Sequence, residues 1–364
     1  MIANSGRALI VAEAGVNHNG SLDLGRNLID VAASAGADAV KFQTFRAKEL
    51  ASVSAPKAQY QSARTPASES QQEMLRRLEL SESDHETLIA HARHRGIRLL
   101  STPFDLPSLR LLTARFGFEL IKVPSGEITN GPFLLELART GSQLIVSTGM
   151  SSLGEVEQAL GVLAFGYLDR SSARAPSGRA FEAAFASQAG QEQLREKVAL
   201  LHCTTEYPAP FADTNLRALD TLAGAFGLPV GLSDHTPGTH VAVAAVARGA
   251  RIIEKHFTLD RTLPGPDHAA SLEPSELATM VQQIREVEAA LGDGVKRATQ
   301  SEIKNVPIAR KSLVAAVAIR RGDVFTLQNL ACKRPGDGIS PMLMWQLLGR
   351  TASRDFEPDD TIVA

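Results

Sequence analysis

Short apolar runs rich in strand-forming residues recur along most of the chain, at 9–15, 39–45, 97–104, 119–126, 143–150, 198–208, 229–236 and 251–259. Each is short for a helix and turns polar at its C-terminal end. Between them lie stretches with apolar positions at helical spacing, among them 22–35, 84–94, 106–116 and 241–248, and a longer one follows at 274–291. Strands that alternate with helices pair in parallel, because a parallel pair needs a crossover connection. Eight such units and a closing helix predict an α/β fold, a (β/α)8 TIM barrel, over residues 1–292. In that architecture chemistry sits at the C-terminal strand ends, and every second strand residue points into the barrel mouth.

Two regions depart from the repeat. Residues 168–196 form a surface insertion, with a polar run at 169–178 and a helix expected at 179–193. Past Gly292 the sequence is polar and irregular over 293–311, the composition of a linker. Residues 312–364 then carry short strand-like pieces at 313–316 and 361–363 and turn signals at 321–323 and 335–338. They predict a compact small domain, with Met342, Met344 and Trp345 in its core.

The alternation of strand residues selects the candidate chemistry. Lys41 and Gln43 share a face, as do Ser233 and His235, and Glu254 and His256. Glu13, Thr102, Ser147, Thr205 and Tyr207 lie at other strand ends, and Lys122 and Ser125 face one way if the strand bends near Pro124. Two imidazoles at the ends of consecutive strands are placed to share one divalent metal ion. Two lysines ringed by hydroxyls suit a small anion bearing phosphate or carboxylate. Glu13 is placed either to pair with Lys41 or to manage the proton of a metal-bound water. Lys122 has a second reading, the Schiff-base lysine of an aldolase. Cys203 shares the parity of Thr205 and Tyr207, which leaves a place near the site open, and its first reading is core packing.

Composition narrows the class without changing this picture. The 364 residues are 44% hydrophobic with a net charge of −2, as in an ordinary globular protein, with no polybasic feature for nucleic acid or a membrane surface. No apolar run approaches the roughly 18 residues of a membrane span. The N-terminus lacks a signal peptide's apolar segment, and the two cysteines, Cys203 and Cys332, suggest no disulfide framework, so a cytoplasmic protein is expected.

A run of collinear motifs carries a resemblance. It begins with Ala12-Glu13-Ala14-Gly15, Asn17-His18-Asn19-Gly20, Lys41-Phe42-Gln43-Thr44-Phe45 and Ser101-Thr102-Pro103-Phe104-Asp105. It continues with Pro124-Ser125-Gly126-Glu127, Ser147-Thr148-Gly149-Met150 and His202-Cys203-Thr204-Thr205-Glu206-Tyr207-Pro208. Leu232-Ser233-Asp234-His235, Glu254-Lys255-His256-Phe257-Thr258 and Gly265-Pro266-Asp267-His268 complete it, with Arg310-Lys311-Ser312 and Lys333-Arg334-Pro335-Gly336 in the tail. Outside the insertion, nearly the whole chain resembles the nonulosonic (sialic) acid synthases of the N-acetylneuraminate and legionaminate type. The tail is similar to their antifreeze-like (SAF) domain.

The resemblance implies condensation of phosphoenolpyruvate with the open-chain aldehyde of an N-acetylmannosamine-type sugar, giving N-acetylneuraminate and phosphate. The alternative is a legionaminic acid synthase using a 2,4-diacetamido-trideoxy mannose-type sugar. The resemblance also implies a manganese or magnesium ion on His235 and His256. It puts phosphoenolpyruvate on Lys41, Thr102, Lys122, Ser125, Ser147 and Ser233, with Thr205 at a position where some relatives have an amide. Gln43, Glu127, Tyr207 and Asp267 line the sugar side. A domain-swapped homodimer, with Arg334 reaching the partner's sugar, is the expected assembly. Two rival classes are a Schiff-base lyase on Lys122 and a non-enzymatic carbohydrate- or ice-binding protein suggested by the tail.

Overall fold

The computed structural model describes residues 6–62, 65 and 69–363. Each apolar run forms a strand, most of them shortened where the polar end turns into a loop. The strands are β1 (Leu9–Gly15), β2 (Ala39–Thr44), β3 (Arg98–Pro103), β4 (Leu120–Val123), β5 (Gln143–Ser147), β6 (Val198–Cys203), β7 (Val230–Asp234) and β8 (Ile252–His256). All pairings among them are parallel, in the order β3-β2-β1-β8-β7-β6-β5-β4. β3 also lies beside β4, without a ladder between them, so the sheet curls into an eight-stranded TIM barrel.

The helices begin and end where their caps dictate. Ser152 caps Leu153–Leu168, its hydroxyl accepting from the Glu155 amide while Glu155 returns a carboxylate to the Ser152 amide. The closing helix Pro274–Leu291 opens on proline and stops at Gly292, which adopts φ 62°.

Strand parity sorts the barrel into storeys. Val11, Ala39, Leu100, Leu120, Ile145, Leu201 and Ile252 form one apolar cluster, with at least one residue from seven of the strands. The eighth, β7, contributes Gly231, because a Cβ there would stand 2.3 Å from the Ile252 carbonyl oxygen. Two residues further along each strand the side chain returns to the same face. There the barrel presents Glu13, Lys41, Thr102 and Lys122, then Ser147, Cys203, Ser233 and Glu254, all buried. The intervening residues, such as Ile10, Val40, Ile121, Leu200 and Ile253, belong to a separate cluster packed under the outer helices. That double burial makes the strands read as continuous apolar runs.

The insertion differs from expectation. Its helix is two helices, Gly178–Ala186 and Gln188–Lys197, because Ser187 is extended and its hydroxyl caps the second by accepting from the Gly190 amide at 3.0 Å. Phe181 packs edge-on against Phe165 of the preceding helix, with ring centroids 5.3 Å apart.

The chain separates into two compact units, Met1–Gly292 and Asp293–Ala364. In the second, single-turn helices at Gln300–Ile303 and Val306–Ala309 precede an antiparallel pair, β9 (Ser312–Ala315) with β10 (Leu330–Lys333). Its core is built from Leu313, Ile319, Phe325, Leu330, Phe356 and Ile362. Met344 packs against that core, but Met342 and Trp345 are 77% and 71% exposed. The single-turn helix Met344–Leu347 explains this correction: Met344 and Leu347, three apart, face inward, which leaves Trp345 pointing out.

Candidate active site

A cavity of about 350 Å³ opens above the polar storey of the barrel. Its lining includes Glu13, Lys41, Gln43, Thr102, Lys122 and Ser125, with Ser147, Thr205, Tyr207, Ser233, His235, His256 and Asp267. Thirteen residues predicted from strand parity and motif matching are therefore together in one chamber. Two are elsewhere. Glu127 falls in the single turn Ser125–Glu127 after β4, outside the lining, with its carboxylate accepting from Asn130 Nδ2 at 2.7 Å. Arg334 follows β10 in the second unit and is exposed.

The turn after Val123 supplies the expected bend at Pro124 and returns Ser125 to the cavity. Ser125 Oγ accepts from the Gly149 amide at 3.0 Å. Gly149 has no room for a side chain, since a Cβ would meet Thr205 Oγ1 at 2.3 Å.

At the bottom of the chamber four ionisable groups form one network. Lys41 is ion-paired with Glu13 and donates to Thr102 Oγ1 at 2.9 Å. Glu254 lies 3.6 Å from Lys41 Nζ and 3.3 Å from Lys122 Nζ, and accepts from the Ser233 hydroxyl at 2.8 Å. Burial alone would push the Glu254 carboxyl up, but the two lysines and the Ser233 hydroxyl outweigh it and hold it below the usual carboxylate range. Glu13 goes the other way. Burial pushes it up to about 7, with the Glu254 charge adding to the rise and the two lysines opposing it. Two ammoniums face Glu254, held as a carboxylate, and Glu13, which titrates near neutrality. The Ser147 hydroxyl, also buried here, has no hydrogen-bond partner among the described residues.

The rim holds the imidazoles. His235 and His256 have ring centroids 5.6 Å apart, and the Tyr207 ring lies against both, at 4.2 Å and 5.7 Å. His235 Nδ1 donates to the Thr204 carbonyl at 2.7 Å, which leaves Nε2 with its lone pair. Burial, with His235 and Lys41 nearby, drives His256 well below the ordinary histidine range, and its Nδ1 is a buried atom without a hydrogen-bond partner among the described residues. A neutral imidazole with an unused nitrogen beside a second imidazole fits a divalent cation. Among the described residues no group of three or more His, Cys, Asp or Glu is arranged to hold a metal. The protein would therefore supply two nitrogens and leave the remaining positions to oxygen ligands, which manganese and magnesium favour.

Sequence reasoning missed three features. Glu254 was placed on the right face without a role, and it turns out to bridge both lysines. Cys203, read as core, lines the cavity with its sulfur 3.8 Å from His235 Nδ1. The Asn17–Gly20 motif had no assigned task. It suspends the loop after β8: Asn17 Nδ2 donates to the Phe257 carbonyl at 2.8 Å and to Ser271 Oγ at 3.0 Å, and Asn19 Nδ2 donates to the Pro264 carbonyl at 2.8 Å. That loop carries Asp267, whose carboxyl burial pushes up to about 6.

Comparison with known proteins places the chain in a family. The chain is 49% identical over 356 residues to the N,N'-diacetyllegionaminic acid synthase of Campylobacter jejuni, covering 98% of this chain and 99% of that one. It is 42% identical to the protein of the same name from Legionella pneumophila, covering 97% and 93%. Among solved structures, the N-acetylneuraminic acid (sialic acid) synthetase of Leptospira borgpetersenii superposes with a TM-score of 0.65 at 32% identity, covering 82% of this chain and 90% of that one. Residues 310–364 match the SAF domain. With residues 28–296 matching the NeuB family across nearly all of the barrel, the chain belongs to that family.

Proposed function

We propose that the protein joins phosphoenolpyruvate to the open-chain aldehyde of an acetamido mannose-type sugar, forming a nine-carbon 2-keto-3-deoxy acid. The new bond links the methylene carbon of phosphoenolpyruvate to the aldehyde carbon, water adds at the enol carbon, and phosphate leaves. The observation that carries this reading is the buried polar storey, two lysines with hydroxyls on neighbouring strands, directly beneath an imidazole pair.

In this reading Lys41, Thr102, Lys122, Ser125, Ser147 and Ser233 hold the phosphate and carboxylate, with Glu254 sharing the charge of both lysines. Thr205 stands close enough to Ser125 to share that task. Gln43, Tyr207 and Asp267 face the sugar, and Glu127 reaches it only by leaving Asn130. A manganese or magnesium ion on His235 and His256 supplies, when bound, a Lewis acid for the aldehyde oxygen. Glu13, near neutrality, accepts the proton of the water that adds to the enol carbon. Fixed cations and hydroxyls make the catalysis largely one of positioning and electrostatics.

The sugar is best read as the 2,4-diacetamido-trideoxy type. Val16, Leu50, Leu75, Leu78 and Phe104, which belong to one apolar cluster, line part of the cavity together with Gln61 and Gln71. The cluster suits the methyl groups of a deoxy carbon and a second acetamido group better than the hydroxyls of N-acetylmannosamine. The two relatives named for diacetyllegionaminic acid point the same way.

We infer further that two copies pair, each small unit closing the other's chamber with Arg334 over the sugar. The strand-end loops of the barrel expose Val53, Met150 and Phe211 at 80%, 71% and 53%, and the small unit exposes Met342 and Trp345. Such apolar residues mark association surfaces when grouped.

Phosphate release from phosphoenolpyruvate across a panel of mannosamine derivatives, with and without chelator, tests the whole reading. The diacetamido sugar should react fastest, chelator should stop turnover, and borohydride with pyruvate should leave Lys122 unlabelled. Faster turnover of N-acetylmannosamine would favour N-acetylneuraminate as product.

A further inference from the structure

The parallel ladder between β7 and β8 ends at the pair Asp234–Lys255, one residue before each imidazole. Beyond it each histidine is held by a different neighbour: His256 lies opposite Glu13 in the β1–β8 ladder and its carbonyl accepts from the Leu272 amide at 2.9 Å, while the His235 carbonyl accepts from the Ala209 amide at 2.8 Å. The direct tie between the two strand ends at this point comes from the side chains of the last pair. Being odd-numbered steps from the cavity residues, they point away from the mouth, and both are 1% exposed. Lys255 Nζ donates to Asp234 Oδ2 at 2.8 Å and also to the Thr236 carbonyl. Asp234 Oδ1 in turn accepts from the Thr236 amide at 2.9 Å and from Thr236 Oγ1 at 2.7 Å. The backbone on both sides of His235 is thus tied to the residue that precedes His256.

We propose that Asp234 and Lys255 are positioning residues that set the spacing of the imidazole pair. This rests on the reading of His235 and His256 as ligands of a divalent cation. A buried ion pair is a poor source of stability, since well-packed apolar residues in its place are often neutral or stabilising. A buried pair that faces away from the cavity and directly precedes both imidazoles has a geometric use instead. Groups that orient metal ligands typically change metal affinity by 10–100-fold when removed.

The test is the double variant Asp234→Leu/Lys255→Met in the full-length protein, with Mn²⁺ binding measured directly by calorimetry and by the loss of the free-ion EPR signal. The expected result is an unchanged or raised melting temperature with Mn²⁺ affinity at least tenfold weaker, while phosphate binding to the lysines shifts less than twofold. A folded double variant with parental Mn²⁺ affinity overturns the proposal. If that variant fails to fold, Asp234→Asn keeps the acceptor for Thr236 and weakens only the bridge. It should then lose three- to tenfold in affinity, and parental affinity again overturns the proposal. His235→Ala separates the two ideas: if it retains Mn²⁺, the ligand reading fails, whereas loss there beside retention in the double variant removes only the positioning role.

Discussion

Lys122 Nζ stands 3.3 Å from Glu254 Oε1, and the other oxygen of that carboxylate lies 3.6 Å from Lys41. One carboxylate is therefore shared by the two cations assigned to the substrate anion. A hydrogen bond to a charged group contributes about 1.5–3 kcal/mol, so Lys122→Met should raise KM for phosphoenolpyruvate by about 10–100-fold. Initial rates of phosphate release against phosphoenolpyruvate concentration measure this. An unchanged KM would place the anion elsewhere.

Glu13 links activity to pH. Burial holds its carboxyl at about 7, above the ordinary 4.5. To accept a proton it must be ionised, so at saturating Mn²⁺ kcat should climb through pH 7 and level off above it. The sign for stability is opposite. Between 4.5 and 7 the folded state holds a proton that the unfolded state has lost, so this group's contribution falls as pH rises through that window. A kcat that stays flat from pH 5.5 to 8.5 would remove Glu13 from the proton-transfer role.

Asp267 predicts a trade between stability and function. Its folded carboxyl titrates at about 6 against an ordinary 3.8, because burial disfavours the charge. The penalty is absent below 3.8, grows between the two values and is complete above 6. Asp267→Asn should therefore stabilise the protein by about 1–3 kcal/mol at pH 8, with the gain vanishing by pH 4 and sugar KM rising. Thermal unfolding at the two pH values checks it, and an equal shift at both would show that charge burial is not the cause.

Gly231 supports the site from below. A Cβ there would meet the Ile252 carbonyl oxygen at 2.3 Å and Leu201 Cδ2 at 2.8 Å. Overpacking of this kind costs about 1–3 kcal/mol. Gly231→Ala should lower the melting temperature and, by shifting β7, weaken both Ser233 and His235 contacts. A variant with parental melting temperature and kinetics would show that the ring can expand locally.

The barrel was legible because helical spacing and strand runs alternate through all eight units, broken only by the insertion before β6, and the closing helix was placed residue for residue at Pro274–Leu291. Parity then located the chamber, since counting in twos from Val11, Ala39 or Leu120 lands on Glu13, Lys41 and Lys122. Parity says which way a side chain points and not what it touches, which is why Glu254 had a face but no task. It also says nothing once a strand ends: Glu127, put on the sugar side by the resemblance alone, follows the turn at Pro124, and its carboxylate accepts from Asn130. Trp345 was misplaced because apolar character alone cannot say which side of a single-turn helix is covered. The break at Ser187 depends on φ and ψ at one serine that is otherwise a tolerable helix residue.

The missing ladder between β3 and β4 gives the ring one slit. Thr102 stands on one lip and Lys122 on the other. An anion held by both is a clasp across that gap. Substrate occupancy should then quiet the breathing of the whole barrel at its weakest join, slowing amide exchange along β3 and β4 more than on the fully laddered side.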